Sequence, residues 1–162
     1  MSGTGAELGG LVFGFTGASL MFWLGVAGLP FAKPVASWFR ARMLTARGMP
    51  PLGREAAAEN MVPGQIIVGS LAGIVIGLMI IWNSGAKINA ALTRADTSAS
   101  PPLLAIFVGA AALVGGFVLL ARAVKRPSRK SRRRVIAGAA IAALGVGSMT
   151  AGIVLVIMLG AD

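Results

Sequence analysis

The groups in this chain able to do acid–base or ligand chemistry are few and badly placed for it: five carboxylates, Glu7, Glu55, Glu59, Asp96 and Asp162, with no histidine, cysteine or tyrosine. A proton-coupled transporter needs an ionisable group held at bilayer depth. A hydrolase needs a base beside its nucleophile, and here the Ser and Thr hydroxyls have no histidine to activate them. The carboxylates lie at chain ends and between apolar runs, scattered rather than at metal-ligand spacing. Glu55 and Glu59 stand one turn apart and read as a solvated helical face. Without cysteine there is no disulfide framework and no thiolate site. The residue types therefore argue against an enzyme, and no catalytic residue, cofactor or metal site is expected.

The elements that carry these groups are four long apolar runs. Hydrophobic residues make up 56% of the 162 residues, and a mean hydropathy of +0.83 leaves too little polar surface for a soluble globule. The first run, 8–31, has 24 residues and reaches about 36 Å as a helix, enough to cross the hydrocarbon layer with some tilt. Pro30 and Pro34 are expected to end it. The second span is placed at 63–82, with Pro63 in the tolerated first turn. The third, 103–124, follows Pro101 and Pro102, and its late Arg122 can snorkel towards the headgroups. The fourth covers 135–160. Residues 1–10 carry Glu7 and no cation, unlike a secretory leader, so the first span is expected to be retained. The expected fold is an all-α membrane protein, one integral domain over 1–162, with four transmembrane helices in a bundle. Small four-span multidrug exporters share this size and span number, but they carry a glutamate inside the first span, where this chain has Glu7 ahead of it.

Lys and Arg beside short loops are retained on the cytoplasmic side, so their distribution sets the orientation. Between spans one and two lie Lys33, Arg40, Arg42, Arg47 and Arg54; the basic loop 122–134 holds Arg122, Lys125, Arg126, Arg129, Lys130, Arg132, Arg133 and Arg134. The remaining connection has only Lys87 and Arg94. Both termini are accordingly expected outside the cytoplasm. The two halves share the order helix, basic loop, helix, but their residues do not align as a duplication.

Gly69, Gly73 and Gly77, spaced four apart, put three missing side chains on one face of the second span. Gly10, Gly14 and Ala18 do the same on the first, and shorter pairs recur at Ala105 with Gly109, Ala112 with Gly116, and Gly138 with Ala142. Such faces either pack the spans on one another or dock a further subunit. Between spans one and two, Val35, Trp38, Phe39, Met43 and Ala46 recur at spacings of three and four, with Arg40 and Arg47 on another side. This predicts a short amphipathic helix over 35–47 that lies in the membrane interface on Trp38 and Phe39 or covers a partner's helix. The cations Arg129, Lys130, Arg132, Arg133 and Arg134 set topology and can meet anionic phospholipid or an acidic partner surface. Nucleic acid is not an expected partner, because no stacking aromatic is interleaved among them.

By elimination, the expected role is a non-catalytic accessory or stabilising subunit of a larger bacterial membrane complex, with other integral membrane subunits as partners. Abundant Ala and Gly and an excess of Arg over Lys are associated with GC-rich bacterial genomes, which points to the inner membrane, and an envelope lipid transporter is the first host to consider. A small homo-oligomeric transporter or channel is the alternative, and a holin-like membrane protein a third reading.

Overall fold

The computed structural model describes residues 3–45, 53, 55, 56, 62–93, 100–125 and 129–160. It is all-helical among them: α1 (Gly3–Gly28), a 3-10 turn (Leu29–Phe31), α2 (Ala32–Leu44), α3 (Pro63–Thr93), α4 (Ser100–Lys125) and α5 (Arg129–Leu159). Four helices are long and apolar enough to cross a membrane, as expected of a multi-pass membrane protein. A lipid environment offers backbone amides no water, so each run closes its hydrogen bonds within its own helix.

Several of the described prolines open helices. Pro63 starts α3, and Pro101 and Pro102 sit in the first turn of α4, where a missing N–H would have had no intrahelical partner. Pro30 falls in the 3-10 turn, and Pro34 is the third residue of α2. α1 itself ends at Gly28, just ahead of Pro30, and the 3-10 turn closes at Phe31. Gly28 (φ −67°, ψ −33°) and Ala32 (φ −53°, ψ −47°) are both right-handed helical, and only Phe31 (φ −103°, ψ 3°) departs. The chain continues directly as α2, three residues earlier than the amphipathic pattern begins. α2 closes at Thr45, whose amide and hydroxyl both bond to the Ala41 carbonyl.

The other helices outrun their apolar segments. α3 continues past Trp82 to Thr93, and α5 starts at Arg129 inside the basic segment. At 31 residues each, they are about 46 Å long, so roughly a third of each exceeds a hydrocarbon layer of ~30 Å.

The most extensive pairing is the antiparallel α4–α5 hairpin, followed by α1 against α3; α1 also touches both α4 and α5. Helix α1 is thus the central element, with α3 on one side and the hairpin on the other. The four long helices meet in a core of Leu8, Val12, Phe15, Ile88, Leu92, Ile106 and Val156. Further along α1, Phe22 and Trp23 pack on Phe107, and the Trp23 indole N–H donates to the Phe107 carbonyl at 3.2 Å.

Candidate functional site

The two helix pairs are closed by missing side chains, and what faces each glycine can be stated atom by atom. On the α1–α3 contact a Cβ at Gly77 would stand 3.0 Å from the Ala18 carbonyl oxygen and 3.0 Å from the Phe22 Cβ. Gly73 faces the Met21 carbonyl at 3.7 Å, and Gly14 faces the Ser84 hydroxyl at 3.6 Å. From the α1 side, a Cβ at Gly25 would lie 2.7 Å from the Ser70 carbonyl oxygen. Gly69 and Gly10, grouped with these by spacing, have nothing within 4 Å. The five glycines thus divide: Gly14, Gly73 and Gly77 face the neighbouring helix, while Gly10 and Gly69 face outward.

The tighter seam runs between α4 and α5 with a period of seven. Gly109 and Gly116 on α4 meet Gly138, Gly145 and Gly152 on α5, and Pro102 and Ala123 extend the same buried row. A Cβ on Gly145 would stand 2.5 Å from the Leu113 amide nitrogen and 2.6 Å from the Gly109 carbonyl oxygen; one on Gly116 would stand 2.6 Å from the Gly138 carbonyl oxygen. In lipid, where no hydrophobic drive joins helices, such backbone approach supplies the dispersion contact that holds them. The Ser148 hydroxyl adds a bond across the seam to the Ala105 carbonyl at 2.9 Å. Spacing of four singled out parts of this row; the repeat of seven, present in the sequence at 102, 109, 116 and at 138, 145, 152, is the signal that identifies all of it.

Other hydroxyls within the spans bond within their own helix. Thr16, Ser19 and Thr150 each donate to the carbonyl four residues back, at 2.8, 2.8 and 2.9 Å. No buried side-chain nitrogen or oxygen among the described residues lacks a partner, and no group of His, Cys, Asp and Glu able to hold a metal occurs among them. Glu7 and Lys87 are exposed.

The interface residues are placed as follows. Trp38 and Phe39 are exposed on α2 with their rings edge to face at 5.1 Å, and Arg40 is exposed beside them. Arg47 lies outside the described residues. Arg132, Arg133 and Arg134 are exposed in the opening turns of α5; Arg129 and Lys130 begin that helix, and their side chains lie outside the described residues. These cations sit at the positive end of a helix dipole, a placement that costs a few tenths of a kcal/mol each. A nearby anionic surface offsets it by about 1 kcal/mol per residue.

Two surface grooves flank α1. One, of about 480 Å³, is shallow and runs between α1 and α3 along Gly17, Gly69, Ser70 and Gly73. The other, of about 540 Å³, lies between the α1–α2 junction and α4, with Leu24 and Phe31 on one wall, Leu113 and Phe117 on the other, and Arg122 at one end. The Arg122 guanidinium stands 5.0 Å over the Phe31 ring.

No family model matches this chain, and neither the curated proteins nor the solved structures contain a match to it.

Proposed function

We propose that the chain is a non-catalytic accessory subunit that stabilises a larger bacterial inner-membrane complex, with an envelope lipid transporter as the first host class to test. The observation that carries this reading is the outward surface of α3. Only 11% of its most apolar 18-residue stretch is buried. Val68, Leu71, Val75, Met79 and Trp82 are all exposed, and on the flank of α3 beside α1 Gly69 lines a shallow groove. A span packed mainly on α1 along its apolar stretch, with a small-residue cleft beside it, fits a helix that a further subunit completes. The ionisable groups at the chain's helix ends fit support better than solute or proton transport.

The experiment is purification in mild detergent followed by identification of copurifying proteins. Gly69→Leu is the informative variant, because a Cβ there meets nothing within 4 Å. It is expected to keep the melting temperature of the parent and to lose the copurifying subunit. A monodisperse homo-oligomer with no other polypeptide would overturn the accessory role and promote the self-sufficient channel reading.

In this reading both cation-rich connections face the cytoplasm, α2 lies along the cytoplasmic interface on Trp38 and Phe39, and the four spans form one bundle around α1. A tag fused after Asp162 is expected to be reached by an impermeant label in intact spheroplasts. Labelling only after lysis would reverse the topology.

A further inference from the structure

We propose that the groove between the α1–α2 junction and α4 is a binding site for one anionic phospholipid, its acyl chain lying along the groove and its phosphate held by Arg122. The walls are apolar from end to end except for Arg122. From Leu113 to Arg122 the groove follows nine residues of α4, about 14 Å, close to the half-thickness of a ~30 Å hydrocarbon layer. Its length is therefore that of one leaflet, with the cation at the headgroup end and the apolar end near the midplane.

Small residues make the space. Ala27 on α1 and Ala121 on α4 line it where longer side chains would fill it. The occupant is a hydrocarbon chain because lipid is already the medium at this depth.

Charge selects the headgroup. Arg122 is exposed, forms no ion pair among the described residues, and rests over the Phe31 ring, which orients a guanidinium without neutralising it. Its N–H groups remain available to a phosphate in the fork geometry that guanidinium favours. Gly116 of α4 lies against Gly138 and Ala142 of α5, so Arg122, six residues on, is level with Arg134, and the local field is positive around the mouth. Zwitterionic lipid fills the groove as well but gains less from that field.

The test is native mass spectrometry of the purified full-length chain titrated with phosphatidylglycerol or phosphatidylcholine of identical acyl chains. The parent is expected to retain one phosphatidylglycerol in preference to phosphatidylcholine. Arg122→Gln should weaken phosphatidylglycerol about fivefold and leave phosphatidylcholine unchanged. Ala121→Trp, which places a ring in the groove, should weaken both, and Arg132→Gln neither. Equal losses from Arg122→Gln and Arg132→Gln would reduce the effect to diffuse charge and overturn the site, as would full lipid retention by Ala121→Trp. A photoreactive residue at Phe117 in native membranes is expected to label lipid; labelling of a polypeptide, whether another subunit or a second copy, would overturn it too. The titration uses this chain alone, so its outcome is separate from whether the chain serves a host complex.

Discussion

Gly145→Ala is expected to destabilise the protein by about 2 kcal/mol or more, whereas Gly147→Ala, two residues along the same helix, leaves it at least as stable. The methyl group at 145 would stand 2.5 Å from the Leu113 nitrogen and 2.6 Å from the Gly109 carbonyl oxygen. Both are backbone atoms, which cannot rotate aside as a side chain does, so α5 must move away from α4 as a body. That movement opens the contacts of Gly109, Gly116, Gly138 and Gly152 together, because they form one row. Overpacking against mobile side chains costs about 1–3 kcal/mol, and a backbone wall puts this site at or above the top of that range. The intrinsic gain from replacing glycine by alanine in a helix, up to about 1 kcal/mol, opposes it without cancelling it. At Gly147 nothing lies within 4 Å, and only that gain remains. Thermal unfolding in a single detergent reads the comparison directly. A Gly145→Ala protein that melts with the parent would mean that the hairpin is not held by backbone contact.

The existence of the four spans was legible because crossing a bilayer demands a property that sums along the chain, about twenty apolar residues in sequence. Packing was legible only where the repeat matched the template applied. Residues four apart share a face within one helix, so Gly73 and Gly77 stood out, together with Gly69, which the same rule cannot distinguish and which faces outward. Two long helices packed nearly antiparallel meet again every two turns, and their seam repeats every seven residues. The row Gly138, Gly145, Gly152 carries that longer period plainly. The groove beside Arg122 was not legible by any local rule, since it joins Leu24 and Phe31 to Leu113 and Phe117 across separate helices. At Phe31 the proline pair marks a boundary: α1 closes at Gly28, a 3-10 turn spans Leu29–Phe31 and α2 follows at once.

Ile88→Ala is the counterpart test for the far end of α3, and is expected to cost about 2–5 kcal/mol, the range for deleting a buried branched side chain. Residues 83–89 include Asn83, Ser84, Gly85, Lys87 and Asn89, a run whose average polarity resembles a loop. Hydropathy averages over every face of a helix, whereas packing uses one. Ser84, Ile88 and Leu92 are buried at spacings of four, continuing the face that begins with Gly73 and Gly77, while Asn83, Lys87 and Asn89 are exposed on the other sides. Ile88 is fully enclosed, in one cluster with Leu8, Val12, Phe15, Ile106 and Val156, so this turn binds all four long helices at a level where polar neighbours indicate water rather than lipid. Water is what makes apolar burial favourable there, in contrast to the glycine seams deeper in the spans. Met79→Ala, two and a half turns back on an exposed face, is the control and should change stability by less than about 0.5 kcal/mol. If the two substitutions prove equally mild in thermal unfolding, the extension of α3 is undocked and the helices are joined at the glycine seams alone.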